Sequence, residues 1–245
     1  MYRFYVNEEQ IEEDNIVITG SDVNHIKNVL RLEKGDWIIA CDGNGKDYVS
    51  RIGEISSESV ILNVEKEQSS DTELDCRIVL FQGLPKKDKM EFIIQKAVEL
   101  GVTDIVPVSM KRCVVKLDGN KAKKKQERWQ SIAEAAAKQS GRGIIPRVSE
   151  MVSLKEAFDI AADLEYNMIP YELQDGIEQS RKIVDEACTK NSIGIFIGPE
   201  GGFEKEEVES AFSKGIQPIT LGKRILRTET AGMALVSILM FKIQK

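Results

Sequence analysis

Two glycine-rich stretches near the carboxyl end of the chain decide its fold: IGPEGGF at residues 197–203 and LGKRILRTETAGMA at residues 221–234. Each stretch follows a β-prone run, Ile193–Ile197 or Gln217–Leu221, and comes before a helical pattern. Glycine lets backbone N–H and C=O groups come close to a ligand, and ligands of α/β sheets bind beyond the carboxyl ends of the strands. The two loops therefore predict a ligand site at one edge of a sheet.

Neither loop carries a common nucleotide-binding motif, because neither contains the GKS or GKT of a P-loop or reads GxGxxG. An ordinary tight turn is the alternative interpretation of residues 197–203. Helix capping by Thr228 or Thr230 accounts for part of the second loop. Capping alone does not explain why Arg227 and Glu229 stand together before the most apolar helical pattern of the protein.

Upstream of these loops, strand and helix patterns alternate. The strand candidates are Arg77–Gln82, Ile105–Val108 and Asn167–Pro170. Asp88 and Glu91 have the spacing of a capping box before one helix. Ser153 and Glu156 have the same spacing before another. Alternating strands and helices predict an α/β domain with a mainly parallel sheet over residues 74–245.

Residues 1–70 have a different pattern. The β-prone runs here are Trp37–Cys41, Tyr48–Ile55 and Ser59–Val64. A DGNGKD turn separates the first two runs, and a short helix is expected over about Ser21–Leu30. The polar run EKEQSSDTE at residues 65–73 is expected to be a linker. We therefore predict a small β-rich domain at 1–70, followed by the α/β domain at 74–245.

The charge is unevenly distributed along the chain. The whole chain has a net charge of −6 and a pI near 5.2, which argues against indiscriminate binding of nucleic acid. Residues 1–70 hold seven Lys and Arg against fourteen Asp and Glu, whereas residues 84–147 hold fifteen against seven. A solvated lysine face and a phosphate-binding surface both remain open as interpretations of this basic stretch.

The cysteines and the single histidine do not form a recognisable metal or catalytic motif. Cys41, Cys76, Cys113 and Cys188 are all more than thirty residues apart, and His25 is the one histidine. We expect reduced thiols in a cytoplasmic protein without a metal site. Neither a membrane span nor a secretory signal is expected, because the apolar run Ala231–Phe241 is too short and the first residues lack the signal pattern.

Several motifs, in the same order along the chain, carry a family resemblance. IGPEGGF followed by LGKRILRTETA resembles the cofactor-binding signature of the SPOUT methyltransferases. Three further motifs resemble the ribosomal small subunit methyltransferase E family: GLPKKDKMEFIIQKAVELGVTDIVPV at 83–108, RCVVK at 112–116 and EAAAKQSGR at 134–142. HIKNVLRLEKGD at 25–36 resembles the PUA-like RNA-binding barrel of that family.

The resemblance implies a fold and an activity. The fold would be a C-terminal SPOUT α/β domain with a deep trefoil knot, preceded by a small N-terminal PUA-like β-barrel. The activity would be methylation of N3 of a specific uridine in 16S ribosomal RNA of the small subunit. S-adenosylmethionine would be the methyl donor and S-adenosylhomocysteine the product, with no metal, and the protein would act as a homodimer. Two alternatives stay open: a non-catalytic RNA-binding or ribosome-assembly factor with the SPOUT fold, and a SPOUT methyltransferase acting on tRNA.

The resemblance also implies which residues bind the cofactor, mainly through backbone groups. The candidates are Pro170, Glu172, Leu173, Ile197, Gly198, Pro199, Glu200, Gly201, Gly202, Leu221, Gly222, Ile225, Leu226, Thr230 and Ala231. Uracil N3 carries a proton at neutral pH, so its methylation needs a base or a cation that stabilises the uracil anion. We assign Arg227 to the charge on O2 or O4, and Glu229 to orienting Arg227 or accepting the proton. An Arg–Glu ion pair that holds the loop is the alternative, and a contribution from a partner subunit stays open.

RNA binding is expected to be shared between the two domains. The candidates are Arg3, His25, Arg31, Lys86, Lys89, Arg112, Lys116, Gln139 and Arg142. His25 has apolar neighbours, so a packing histidine is an equally supported interpretation. The target base is expected to leave its stack to reach the cofactor.

Overall fold

The computed structural model describes residues 1–115, 119–171 and 176–244. The candidates Lys116, Glu172 and Leu173 lie outside these described residues. The chain divides into two compact units. The N-terminal unit consists of Met1–Glu73 and Ala137–Ile145, and the C-terminal unit consists of Leu74–Ala136 and Pro146–Lys245.

A β-sheet forms the N-terminal unit. Its strands are β1 (Tyr2–Tyr5), β2 (Asn15–Thr19), β3 (Trp37–Cys41), β4 (Lys46–Ile55) and β5 (Ser59–Ser69). They lie in the order β1-β3-β4-β5-β2, with β1 parallel to β3 and the other pairs antiparallel. The predicted linker at 65–73 is wrong in its first half, because β5 continues to Ser69, where it pairs with Lys46 of β4.

The expected short helix of the N-terminal unit has two parts. A helical turn, α1 (Ser21–Asn24), continues as a π-helix over His25–Val29. Ile26 is fully buried on this segment and belongs to the same apolar core as Ile16 and Ile38 of the sheet. Every second side chain of a strand faces the same side, so the alternating isoleucines bury one face of the sheet.

The C-terminal unit is built on a parallel sheet, as predicted. Its strands are β6 (Arg77–Gly83), β7 (Asp104–Ser109), β8 (Arg147–Val148), β9 (Val152–Ser153), β10 (Tyr166–Pro170), β11 (Ser192–Ile197) and β12 (Gln217–Ile219). They lie in the order β12-β10-β11-β6-β7-β8, and β9 also pairs with β7. All of these pairs are parallel.

Helices connect the strands of this sheet. They are α2 (Lys89–Glu99), α3 (Gly119–Ser140), α4 (Leu154–Ala161), α5 (Ile177–Ala187), α6 (Lys205–Ser213) and α7 (Thr228–Ile243). The predicted capping box of α4 is confirmed. The backbone N–H of Ser153 donates to the Glu156 carboxylate at 2.8 Å, and the backbone N–H of Glu156 donates to the Ser153 hydroxyl at 3.3 Å. The capping box predicted at Asp88 is wrong, since that side chain makes no capping hydrogen bond and Glu91 pairs with Arg128 at 2.7 Å.

The centre of the sheet is buried on both faces. Phe81 of β6 stacks on Phe196 of β11, with ring centroids 4.3 Å apart. β6 and β11 are buried along almost their whole length, as is typical of parallel strands that helices cover on both sides. None of the helices in the described ranges is long and apolar enough to cross a membrane.

Candidate active site

A cavity of about 380 Å³ lies at the carboxyl ends of β10, β11 and β12. The loop after β11 forms one wall, and the loop between β12 and α7 forms another. The lining residues are Lys89, Pro170, Tyr171, Ile197, Gly198, Pro199, Glu200, Gly201, Gly202, Phe203, Thr220, Leu221, Gly222, Arg224, Ile225, Leu226, Arg227, Thr228 and Ala231. The two glycine-rich stretches of the sequence therefore meet at one place, as the topology of a parallel sheet requires.

The structure brings the predicted cofactor residues together. All of the described candidates except Thr230 line the cavity. Thr230 faces a second cavity between α5 and α7. Sequence reasoning did not include Tyr171 or Phe203, although each stands next to a predicted residue in the chain. It also placed Lys89 with the RNA contacts rather than at this cavity.

Two glycines give the first loop its shape. Gly202 has a φ of 67°, which residues with a side chain rarely adopt. Its N–H donates to the Pro199 carbonyl at 2.9 Å and closes the turn. A Cβ added at Gly198 would lie 3.1 Å from the Phe203 ring and 3.2 Å from the Gly202 backbone. The loop therefore turns back on itself tightly enough to present its backbone to the cavity.

Lys89 links two carboxylates at the cavity. Its Nζ lies 3.2 Å from a carboxylate oxygen of Glu200 and 3.2 Å from one of Glu229. The Glu200 carboxylate also accepts the backbone N–H of Lys86 at 3.0 Å. Burial by itself would raise the pKa of Glu200, but hydrogen bonds from backbone N–H groups and from Lys89 outweigh it and lower that pKa. The hydrogen bond from Lys89 to Glu200 in turn raises the pKa of Lys89. The Lys89 ammonium and the Glu200 carboxylate are therefore charged at neutral pH.

The two predicted catalytic residues have different surroundings. Arg227 is the exposed N-cap residue of α7 and lines the cavity. In the described part of the chain, Glu229 pairs with Lys89 rather than with Arg227. The structure therefore does not show the alternative interpretation, an Arg227–Glu229 ion pair that holds the loop. The Glu229 side chain is mostly buried, with 14% of its surface exposed.

Comparison with known proteins places this site in a family. The profile described as "RNA methyltransferase domain" matches residues 72–240, and the profile described as "RNA methyltransferase PUA domain" matches residues 18–65. Ribosomal RNA small subunit methyltransferase E of Bacillus subtilis is 38% identical to this chain over 100% of the chain and 98% of that protein. The chain belongs to the ribosomal RNA small subunit methyltransferase E family.

Solved structures agree with this assignment. A ribosomal RNA small subunit methyltransferase E from Neisseria gonorrhoeae, bound to S-adenosyl methionine, is 35% identical and superimposes with a TM-score of 0.80 over 98% of this chain and 97% of that one. A methyltransferase from Legionella pneumophila with bound cofactor SAM is 30% identical, with a TM-score of 0.79 over 98% and 96%. The predicted methyltransferase domain with a parallel sheet and the N-terminal PUA-like domain are confirmed.

Two of the RNA candidates of this methyltransferase E chain have to be corrected. Arg142 is 4% exposed, and its guanidinium pairs with Glu73 inside the N-terminal unit. Arg3 is nearly as enclosed, because it donates to Asp47 at 2.8 Å and to Ser70 at 3.0 Å. Both guanidinium groups are satisfied within the unit, so we no longer expect them to contact RNA. The sequence could not show this, since a buried and an exposed arginine read the same.

Four of the remaining RNA candidates lie on the surface. Arg31, Lys86 and Gln139 are exposed, and Arg31 has a positive φ of 55° at the end of the π-helix. His25 is exposed as well, and its ring lies edge-on to Phe4 with the centroids 5.8 Å apart. This contact is compatible with a packing role and with an RNA contact, so the assignment of His25 stays open.

Arg112 has a local partner in the cofactor wall. Its guanidinium donates to the Gly201 carbonyl at 2.7 Å and to Glu204 at 3.0 Å. A Cβ on Gly201 would lie 3.1 Å from the Cβ of Arg112, so the side chain lies flat against the loop. Arg112 therefore supports the loop of this methyltransferase E site, whether or not it also contacts a phosphate.

Three cysteines of the chain are buried. Burial raises the pKa of Cys41 to about 11 and that of Cys76 to about 11, and it also raises the pKa of Cys113. A thiol that stays protonated is neither a good nucleophile nor a good metal ligand. Among the described residues, no group of three or more His, Cys, Asp and Glu is placed to hold a metal ion.

Proposed function

We propose that this protein transfers the methyl group of S-adenosylmethionine to N3 of a specific uridine in 16S ribosomal RNA of the small subunit. The observation that carries the proposal is the cavity at the carboxyl ends of the strands, which the predicted cofactor loops enclose. Its relative from Neisseria gonorrhoeae, with the same domains, binds S-adenosyl methionine. The names of the relatives support ribosomal RNA of the small subunit as the substrate class.

The residues present fit the proposed cofactor. Glycine backbone groups from 198–202 and the loop from Leu221 offer hydrogen bonds of the kind that an adenine needs. Glu200 lines the cavity, and a carboxylate suits a sulfonium cation. When bound, S-adenosylmethionine supplies an electrophilic methyl group.

The chain's own residues would provide the rest of the chemistry. Arg227, at the cavity, stabilises the negative charge that develops on the uracil carbonyl oxygens when the N3 proton leaves. Glu229 accepts that proton, and its salt bridge to the cavity-lining Lys89 holds the carboxylate in place. Proton removal is needed because the lone pair of a protonated N3 is delocalised into the neighbouring carbonyl groups and is not free for attack.

Variants at these two positions test the assigned roles. Arg227→Ala and Glu229→Gln are expected to lower the rate of methylation strongly while the affinity for S-adenosylhomocysteine, measured by calorimetry, stays close to that of the wild type. Rescue of Arg227→Ala by added guanidinium would support charge stabilisation. Turnover near the wild-type rate in both variants would refute the assignment.

The substrate is tested by mass spectrometry of ribosomal RNA from cells that lack the protein. We expect one N3-methyluridine to be missing from 16S ribosomal RNA and to return with the wild-type protein but not with Arg227→Ala. Loss of a methyl group from tRNA instead would support the tRNA alternative. A protein that does not bind S-adenosylmethionine would support the non-catalytic assembly factor.

We also propose the domain boundaries 1–70 and 74–245, with a trefoil knot formed by the loops around the cavity.

Homodimerisation belongs to the same proposal and is supported by the apolar side chains that α5 and α7 expose: Ile177, Ile238 and Phe241, the last 83% exposed. Light scattering of the wild type and of Phe241→Glu tests it. A monomeric wild type would contradict the dimer.

A further inference from the structure

A chain of hydrogen bonds connects the centre of the sheet to both cofactor loops. Gln82, near the end of β6, is fully buried, and Thr228, at the start of α7, is 6% exposed. The side-chain amide of Gln82 donates to Thr228 Oγ1 at 2.9 Å. The Thr228 hydroxyl donates to the Gly198 carbonyl at 2.6 Å. The second loop is thus fastened to the first loop and to β6 at once.

The donors and acceptors of this chain have only one consistent direction. A hydroxyl has a single hydrogen, and an amide NH₂ group can only donate. Because Gln82 gives a hydrogen to Thr228, the Thr228 hydrogen is left for Gly198. Hydrogen bonds in such a series strengthen one another in a buried environment.

The Gln82 amide acts through its N–H groups. Its carbonyl oxygen is buried and has no hydrogen-bond partner within the described residues, which is unfavourable. The NH₂ group, in contrast, also reaches the Gly83 carbonyl at 2.9 Å. The Gln82 side chain therefore stabilises the structure through the two hydrogen bonds that it donates. Of the two acceptors, Thr228 belongs to the cavity wall.

The end of β6 touches the first loop directly as well. A Cβ added at Gly83 would lie 2.7 Å from the backbone N of Pro199. Both cofactor loops therefore rest on the Gln82–Gly83 dipeptide, one by close backbone packing and the other through the Thr228 hydroxyl.

We propose that Gln82 and Thr228 are positioning residues that fix the separation of the two cofactor loops and hence the affinity of the cavity for S-adenosylmethionine. This inference rests on the function proposed for the cavity. Thr228 lines the cavity, whereas Gln82 lies behind its wall. We therefore expect the effect of Gln82 on cofactor binding to pass through Thr228, the acceptor that lines the cavity.

Calorimetric binding of S-adenosylhomocysteine to the full-length protein tests the proposal. Thr228→Val and Gln82→Met are each expected to weaken binding about tenfold, or about 1.4 kcal/mol, because loops that are no longer held by this hydrogen bond have to be ordered when the ligand binds. Thr228→Ser keeps the hydroxyl and is expected to bind nearly as the wild type does. The double variant Gln82→Met/Thr228→Val is expected to bind no more weakly than Thr228→Val, because both changes break the same chain.

Thr103→Val is the matched control. The Thr103 hydroxyl donates to the Ile78 carbonyl at 2.9 Å, towards the other end of β6, so the same substitution removes a similar bond far from the cavity. It is expected to leave the affinity unchanged. If Gln82→Met does not fold, the comparison of Thr228→Val with Thr228→Ser decides the question.

The outcomes separate this inference from the proposed function. Wild-type affinity in Thr228→Val, or fully additive losses in the double variant, would overturn the positioning role and leave the proposed function standing. If the wild type itself does not bind S-adenosylhomocysteine, the proposed function fails. The anchoring of the loops is then decided by hydrogen exchange of residues 197–203 in the ligand-free protein. Exchange should be faster in Thr228→Val than in Thr103→Val, and equal rates would overturn it.

Discussion

Replacing Gly83 with alanine is expected to distort the cofactor cavity without changing any residue that lines it. The added Cβ would lie 2.7 Å from Pro199 N and from Pro199 Cδ, and 2.9 Å from Met110 Sδ. Carbon atoms pack at about 3.5–4.0 Å, so the Pro199 backbone has to move by roughly 0.8 Å or more. Forcing an extra carbon into a packed site typically costs about 1–3 kcal/mol. The same movement displaces the carbonyl of Gly198, because its carbon is bonded to Pro199 N.

Gly232→Ala is a control inside α7, where Gly232 packs beside the cavity-lining Ile197. A Cβ at Gly232 would lie 3.6 Å from Ile197 Cγ1 and 4.0 Å from the Gln82 carbonyl oxygen, which are ordinary contact distances. Gly232 stands inside α7, where alanine is favoured over glycine by about 0.5–1 kcal/mol. The same substitution is therefore expected to destabilise the protein at Gly83 and to stabilise it at Gly232.

Two measurements decide the matter: chemical denaturation followed by circular dichroism, and calorimetric binding of S-adenosylhomocysteine. For Gly83→Ala we expect the free energy of unfolding to fall by about 1–3 kcal/mol and the affinity to fall about tenfold, since displaced backbone hydrogen bonds are worth about 1 kcal/mol each. Gly232→Ala should bind as the wild type does. Wild-type stability and affinity in Gly83→Ala would refute the close packing of β6 against Pro199.

Arg142→Met should lower the free energy of unfolding by about 3 kcal/mol, because Glu73 stays enclosed without its cation, although it keeps its hydrogen bonds from backbone N–H groups. Arg181→Met removes an exposed ion pair and should change the free energy of unfolding by less than about 0.5 kcal/mol. Denaturant titration of both variants checks this, and equal losses would contradict it. Because burial raises the pKa of Cys41 and Cys76 from 9.0 to about 11, the unfolded state releases these protons first, so the free energy of unfolding should fall as pH rises from 9 to 11. Replacing both cysteines with alanine should remove that part of the slope, and an unchanged slope would count against it. Binding to a 16S ribosomal RNA fragment should weaken with salt, with a log–log slope of about −0.7 to −0.9 for each phosphate contacted, and a flat response in filter binding would exclude a basic RNA face.

Local patterns were reliable where the causes of structure are themselves local. Trp37–Cys41 is a strand with the predicted limits, and the Ser153 capping box forms as expected. Alternating burial and helix capping depend on residues a few positions apart, so the sequence contains them in full. The prediction of a linker at 65–73 failed because a polar stretch was interpreted as unpaired, although residues 65–69 extend β5, which pairs with β4. A strand of an antiparallel sheet can be polar on its exposed face.

The cofactor cavity was predictable as a group of loops but not as a set of contacts. The stretches 197–203 and 221–234 each follow a strand, and neighbouring parallel strands bring their carboxyl ends to one edge, so their meeting follows from the alternation of elements alone. The Lys89–Glu229 ion pair joins residues 140 positions apart, and no spacing rule reaches that far.

The class of fold, the position of the cofactor loops and the family could all be predicted from the amino-acid sequence. Tertiary structure alone decided which charged and polar side chains do what. Arg142 and Arg227 are the same residue type, yet one is enclosed with Glu73 and the other faces the cavity. Gln82 appears in the sequence as one polar residue in an apolar strand, and its partner Thr228 lies 146 positions away. Burial and long-range packing set the partners of a side chain, and neither is a property of its neighbours in the chain.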